Sequence, residues 1–156
     1  MQLNASLDHS VDLYLHHAVM KAIPITTDAL VLRTDFSDPF AWESIQAEVR
    51  APAEFQAHVE FVSDREFDGA PVADLLALIP DDRELYPHDF LFVVDRTTVE
   101  QREHPVLVVD LGEERGRCFR VAPSELWGVE NNLSISNMDF AEFADAVDDD
   151  GVFRGF

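Results

Sequence analysis

The segment from Phe90 to Val94 is a continuous apolar run that lies between Asp89 and Asp95. A strand with one face in water alternates apolar and polar residues, whereas a strand covered on both faces is apolar throughout. The run therefore predicts a strand inside a sheet that has helices packed on both of its faces.

Other strands are predicted on either side of this run. Residues 29–33 and 59–61 come before it, with Val62 as a partial extension of the second. Residues 105–111 and 117–121 come after it and are separated by a short polar loop that contains two glycines. This spacing predicts that the last two strands form an antiparallel hairpin.

Helices are predicted between the first three strands. Asp38 followed by Pro39 is a good helix start, and the helix is expected to end near Arg50. A second helix follows Pro71 and ends at Pro80. This alternation of strand and helix predicts a parallel three-strand core joined by right-handed crossovers.

Two further helices are expected after the hairpin. Ser124 is the predicted cap of a short helix, and residues 136–139 open a last helix with the spacing of a capping box. The fold class predicted from these patterns is α/β: a mixed sheet with a parallel three-strand core plus an antiparallel hairpin, flanking helices and an N-terminal helical arm.

The N-terminal arm is predicted from apolar residues that recur at steps of three and four between Leu7 and Ala22. They indicate a helix over roughly residues 5–21, which Pro24 ends. Residues 1–27 are therefore an arm and linker, and residues 28–156 a single α/β domain. A lone helix needs packing to be stable, so the arm docks on the domain or on a partner, a homo-oligomer being one option.

The chain carries 31 acidic residues against 11 Lys and Arg, a formal charge of −20. Such a field repels nucleic acid phosphates and anionic membranes, so neither is an expected partner. The sequence has no apolar run of membrane-spanning length and no secretory signal, and the expected location is cytoplasmic. The bias of a GC-rich genome or a salt-adapted host also explains an acid surplus.

Aspartates follow each of the first three predicted strands. They are Asp35, Asp64 and Asp95. If these strands are parallel, their carboxyl ends share one edge, where open α/β sheets usually bind ligands and where three carboxylates would attract Mg²⁺ or Mn²⁺. Aspartate is also common after strands as a helix cap or turn residue, and that alternative stays open.

No motif completes a catalytic site around these aspartates. The sequence has no glycine-rich phosphate loop and no nucleophile elbow. His58, His88 and His104 each lie near the start of a strand and are interpreted as surface or capping residues, with a general base as the alternative. No cofactor is expected, apart from Mg²⁺ in the metal hypothesis.

The terminal helix carries a second candidate site. The run Asp148-Asp149-Asp150 lies where this helix is expected to end, although carboxylates there oppose the helix dipole. The run is either a solvated turn or, with Glu142 and Asp145, an acidic patch that recognises a basic partner.

Trp127 is a third candidate feature. It stands near Asn131, Asn132 and Asn137, in what is interpreted as a polar stretch between two helices. The asparagines either satisfy turns and caps or line a binding cleft with Trp127.

Several stretches resemble one protein family. They are residues 30–36, 106–111, 119–123, 131–140 and 151–156, within a total coverage of about residues 28–156. The sequence is similar to an uncharacterised domain family seen in actinobacterial genomes. The resemblance implies a compact α/β domain and no assigned activity. A fainter likeness, of the fold alone, is to toxin-immunity proteins of the kind related to a yeast cell-wall regulator.

Two functions are therefore expected as alternatives. The first is a non-enzymatic protein-interaction module whose acidic surface engages a basic protein partner. An immunity-like protein is one option within this class. The second is a divalent-metal-dependent hydrolase or phosphotransfer protein that uses Asp35, Asp64 and Asp95.

Overall fold

A computed structural model describes residues 21–156. The predicted helix over residues 5–21, and with it the proposed role of the arm in oligomerisation, lies outside the described residues except for Lys21. Residues 21–26 form no helix or strand, and Ile23 is buried against the domain.

The domain is built on one six-stranded sheet. Its strands are β1 Ala29–Arg33, β2 Val59–Val62, β3 Phe90–Val94, β4 Val106–Asp110, β5 Cys118–Val121 and β6 Val152–Phe153. Their order across the sheet is β2-β1-β3-β4-β5-β6. Strand β1 is parallel to β2 and β3, β4 is antiparallel to β3 and β5, and β6 is parallel to β5. The mixed sheet with a parallel three-strand core and an antiparallel hairpin is confirmed.

Within residues 21–156, five helices flank this sheet. They are α1 Pro39–Arg50, α2 Val72–Leu78, α3 Arg96–Glu100, α4 Leu126–Ser134 and α5 Phe140–Ala144. The start of α1 is as predicted, since one carboxylate oxygen of Asp38 accepts hydrogen bonds from the backbone N–H groups of Phe40 (3.0 Å) and Ala41 (3.1 Å).

The run from Phe90 to Val94 is buried along its whole length. Phe90, Phe92 and Val94 pack with Trp42 and Ile45 of α1 and with residues of α4 and α5. Leu91 and Val93 point to the other face and pack with residues of α2 and the segments beside it. The two-sided burial predicted for this strand is confirmed, and it fixes β3 at the centre of the molecule.

The second half of the chain differs from the prediction in three places. Ser124 does not cap a helix, because it lies inside a short 3-10 turn that leads directly into α4. Helix α4 continues through Asn131 and Asn132, so these residues are not a link between helices. Helix α5 is only five residues long and begins after Asp139, whose backbone N–H donates to the Glu142 carboxylate at 2.7 Å.

The C-terminal tail folds back onto the core as a sixth strand. Phe153 is 2% exposed, and its ring meets the Phe143 ring edge to face at 5.2 Å. Gly151 adopts φ +80 at the turn that precedes β6, a conformation that favours glycine. The tail is therefore part of the fold, although no strand was predicted there.

None of the helices between residues 21 and 156 is both long enough and apolar enough to cross a membrane.

Candidate functional site

The three strand-end aspartates lie along the carboxyl edge of β2, β1 and β3, which are neighbours in the sheet. Each of them is already committed to a structural role. Asp64 caps the 3-10 turn Arg65–Phe67, and Asp95 caps α3. Asp35 accepts a hydrogen bond from the backbone N–H of Ser37 at 3.0 Å.

Asp95 also forms a two-pronged ion pair with Arg120 of β5. The two guanidinium nitrogens lie 2.9 and 2.7 Å from its two carboxylate oxygens. Burial opposes ionisation of Asp95, but the hydrogen bonds from Arg120 and Thr98 outweigh it, so the pKa of Asp95 is lowered. A cation is thus already bound to this carboxylate.

The other two aspartates do not join Asp95 in a cluster. A hydrogen bond from the Glu66 backbone, together with Lys21, lowers the pKa of Asp64. Within residues 21–156 no group of three His, Cys, Asp or Glu side chains is placed to hold a metal ion. The metal hypothesis gains no geometric support and stays a prediction.

The acidic residues that follow α5 are largely paired with arginines of the same chain. Arg154 binds Asp148 and Asp150 at 2.8 and 2.6 Å and also reaches Glu103. Arg117 binds Asp145 at 2.6 Å. The run of three aspartates lies after the end of α5, as a solvated turn, and only Asp149 of this run has no cation beside it in the described part of the chain.

Trp127 lies elsewhere. Its ring is 5.8 Å from that of Phe55, which precedes β2, whereas the three aspartates precede β6. Because β2 and β6 are the two edge strands of the sheet, the structure does not join Trp127 to the acidic patch.

Two clefts of the domain lie instead at the amino edge of the parallel strands. The first has a volume of about 500 Å³ and is called the acidic cleft here. It is bounded by the start of β3, the end of β4, the hairpin loop and the connection between α4 and α5. Its carboxylates are Asp89, Asp110, Glu113, Glu114 and Asp139, and its apolar side chains include Phe90, Leu133, Met138 and Phe140.

The carboxylates of the acidic cleft differ in what they already bind. Asp89 pairs with Arg83, the one cationic residue of the lining, and Glu114 pairs with Arg117. Asp110 is buried and accepts the backbone N–H groups of Gly112 (2.8 Å) and Glu114 (3.0 Å), which shapes the hairpin loop.

Two carboxylates of this cleft lie in the open, although Asp139 is also the capping residue of α5. Glu113 and Asp139 are exposed, and neither has a cationic partner among the described residues. One belongs to the hairpin loop and the other to the start of α5, and both border the cleft.

The second cleft has a volume of about 340 Å³ and is called the Glu130 cleft here. It is formed by the residues that precede β1, β2 and β3 and by the last turn of α4. Its lining is Thr27, Asp28, Ala29, His58, His88, Glu130, Asn131, Ser134 and Ile135.

Glu130 is 1% exposed, so its carboxyl lies at the floor of this cleft. It accepts hydrogen bonds from the backbone N–H of His58 and from the Ser134 hydroxyl, the latter at 2.8 Å. Burial raises the pKa of Glu130, and these hydrogen bonds only partly offset that effect.

His88 is fixed at the wall of the same cleft. Its Nε2 lies 2.7 Å from the carbonyl oxygen of Thr26. Because a carbonyl only accepts, this nitrogen carries the proton and donates it. When His88 is neutral, its Nδ1 is therefore the unprotonated nitrogen.

Most of the chain matches a protein-family model. Residues 28–156 match the model of a domain of unknown function, DUF6924. The chain belongs to this family. The match confirms the resemblance to an uncharacterised family over this range and carries no activity with it. No curated protein matches the chain.

The positions of the clefts in this DUF6924 domain could not be predicted from the sequence. Open α/β sheets usually bind ligands at the carboxyl edge, but here the clefts lie at the opposite edge, beside the end of α4. Glu130 looks like an exposed helix residue in the sequence, because its partner His58 is 72 residues away. The histidines before β2 and β3 were the only available signal.

Proposed function

We propose that the domain is a non-enzymatic protein-interaction module, an immunity-like protein in the broad sense, whose acidic cleft engages a basic protein partner. The observation that supports this most directly is the composition of that cleft. Among the described residues, its lining combines five carboxylates and one guanidinium with apolar side chains, and two of the carboxylates have no cation beside them.

This combination suits an arginine or lysine side chain of a partner. The apolar stem of such a side chain would pack against Leu133, Met138 and Phe140, while its charged end would reach Glu113 and Asp139. Arg83 already shows the same kind of contact within the chain, with its guanidinium on Asp89 and 71% of its side chain exposed.

The remaining surface charge would assist the encounter. The chain as a whole carries a formal charge of −20. A field of this sign speeds the association of a basic partner and repels acidic ones. The expected dependence on ionic strength is steep, because exposed charges further apart than about 10 Å are screened at roughly 0.1 M salt.

The test is a binding measurement on a partner captured from the native host at low salt and then purified. The variant Glu113→Gln with Asp139→Asn removes two charges from the cleft and keeps a capping residue at the start of α5. The matched control, Glu54→Gln with Asp149→Asn, removes two exposed charges elsewhere.

We expect the cleft variant to weaken binding several-fold more than the control, mainly through a slower association rate. We also expect the affinity of the unmodified chain to fall between about 50 and about 500 mM NaCl. Affinity that does not change with salt, or an equal loss in both variants, would refute the proposal. A greater loss in the control would also refute the proposal, because the interface would then lie outside the acidic cleft.

A further inference from the structure

The Glu130 cleft contains a buried carboxyl whose hydrogen-bond donors within residues 21–156 are all neutral. They are the backbone N–H of His58, the hydroxyl of Ser134 and, at 3.5 Å, the amide of Asn131. A buried carboxylate gains more from a charged donor than from a neutral one, because charge-assisted hydrogen bonds are shorter and stronger. The site therefore has an unfilled preference for a cation.

The rest of the lining of the Glu130 cleft also favours a cation. It contains a second carboxylate, Asp28, and no lysine or arginine. The last turn of α4 also ends at this cleft, and the carboxyl end of a helix carries partial negative charge that favours cations. A metal ion does not fit these residues, since no group of three ligating side chains converges within residues 21–156.

The shape of the cleft favours a small organic cation. Its volume of about 340 Å³ is at the lower end of ligand pockets, which span about 300–1,000 Å³. Ile135 is 74% exposed at its rim and offers an apolar surface to a short aliphatic stem.

Glu130 is 1% exposed, so an entering group would have to displace the Ser134 hydroxyl from it. Ser134 is exposed and its hydroxyl covers one carboxylate oxygen, so a rotation of that hydroxyl frees the oxygen for a charged N–H donor. The bond from the His58 backbone to the other oxygen stays in place and holds the carboxyl still.

We propose that the Glu130 cleft binds a primary ammonium group carried on a short aliphatic stem, with Glu130 as the buried acceptor and Asp28 as the second carboxylate. This site is separate from the acidic cleft, and it is tested without any protein partner.

The experiment is an NMR titration of the ¹⁵N-labelled full chain with n-butylammonium chloride. The neutral compound butan-1-ol, of the same length, is the matched control probe. We expect the ammonium compound to shift the amide signals of residues 27–29, 58, 88 and 130–135 in a saturable way. Equal shifts with butan-1-ol would contradict the proposal, because the cleft would then recognise only the apolar stem.

Two variants locate the acceptor. Glu130→Gln keeps the shape of the side chain and removes its charge, and we expect at least a tenfold loss of affinity for n-butylammonium. Asp28→Asn changes an exposed residue, so it tests the site even if the first variant unfolds, and we expect a smaller loss. Unchanged affinity in both variants would overturn the assignment.

The source of the cation is distinguished by a second probe, the capped tripeptide acetyl-Gly-Lys-Gly-amide. Binding of n-butylammonium without the tripeptide supports a site for free amines. Binding of both supports a site that can receive a lysine side chain. Binding of neither contradicts the proposal.

The affinity should also depend on pH. Asp28, His58, His88 and Glu130 are the titratable groups of the lining. Protonation of Glu130 removes the charge that would bind the ammonium group, so we expect weaker binding of n-butylammonium at about pH 5.5 than at about pH 7.5. The same affinity at both values would speak against Glu130 as the acceptor.

Discussion

Arg120 and Asp95 join the two halves of the sheet. Arg120 lies on β5, in the antiparallel part, and Asp95 ends β3, in the parallel part, with β4 between them. Their two hydrogen bonds of 2.9 and 2.7 Å cross the carboxyl edge, and Arg120 also donates to the carbonyl oxygen of Pro105 at 3.1 Å. The pair thus ties three neighbouring strands together.

Replacing Asp95 with Asn should destabilise the domain by about 2–3 kcal/mol, less than the roughly 3–5 kcal/mol lost when one partner of a fully buried ion pair is removed. The side chains of Arg120 and Asp95 are 20% and 26% exposed, so solvent screens the pair in part. Urea unfolding at neutral pH measures this loss. A cost under about 0.5 kcal/mol would mean that the pair is only a surface contact.

The same variant gives a defined pH dependence. Because the pKa of Asp95 is lowered in the folded chain, its contribution is fully present above the unfolded value of about 3.9 and is lost as the pH falls through the folded value. We expect the difference in stability between the original chain and Asp95→Asn to be constant from about pH 7 to about pH 5 and to shrink below about pH 4. A constant difference down to acid unfolding would contradict this assignment.

The metal hypothesis makes a separate prediction. Since Asp95 is already bound by Arg120, millimolar MgCl₂ or MnCl₂ should not raise the midpoint of thermal unfolding beyond the effect of NaCl at matched ionic strength. A specific rise that disappears in Asp95→Asn would instead support the metal-dependent alternative and the set Asp35, Asp64 and Asp95.

The first half of the fold could be predicted from the sequence because the patterns that specify its elements are local. The cap at Asp38, the proline beside it and the run from Phe90 to Val94 each specify an element within a few residues. These elements come in the order that a parallel core requires, so the topology of the first three strands followed as well.

The second half was predicted less well because tertiary contacts there override the local conformational preferences of the residues. Asn131 and Asn132 favour turns in isolation, but here their amides donate to the carbonyl oxygens of Gln56 (3.0 Å) and Gly128 (2.7 Å). Burial of Val129 and Leu133 keeps the helix continuous across them. Such partners cannot be seen along the sequence.

The candidate sites were the part of the structure that the sequence predicted least well. A run of aspartates suggests an open acidic patch, yet the position of Arg154 beside Asp148 and Asp150 depends on how the tail folds back to form β6. In the same way, the burial of Glu130 depends on the loop that precedes β2.

Phe143 anchors the C-terminal strand to the core. It is 1% exposed, and its ring lies 6.3, 5.2 and 5.7 Å from those of Phe119, Phe153 and Phe156. Replacing Phe143 with Ala should cost about 3–5 kcal/mol, the usual range for a buried phenylalanine.

Chemical denaturation measures this cost. The matched control is Phe156→Ala, which removes a ring that is 83% exposed and should cost under about 1 kcal/mol. A similar loss in both variants would show that the exposed ring contributes to the anchor as much as the buried one.

Arg154 holds three carboxylates in a surface network. Its hydrogen bonds lower the pKa of both Glu103 and Asp150. Replacing Arg154 with Gln should therefore raise both pKa values and lower the midpoint of thermal unfolding, by more in low salt than in high salt. NMR titration of the carboxyl carbons checks the first effect. No change in either pKa would mean that the network does not persist in solution.

Glu130 should make the domain less stable as the pH rises. Its pKa is raised by burial, so the folded chain holds this proton more tightly than the unfolded chain does, and stability is lost as the pH rises between the unfolded and folded pKa values.

In Glu130→Gln this loss is absent, because the amide does not ionise and can accept from the His58 backbone while it donates to Ser134. We expect the variant to gain stability relative to the original chain as the pH rises from about 4 to about 7.5. Thermal unfolding across that range, without added amine, measures the gain. A constant difference between the two proteins would show that Glu130 does not titrate in a buried site.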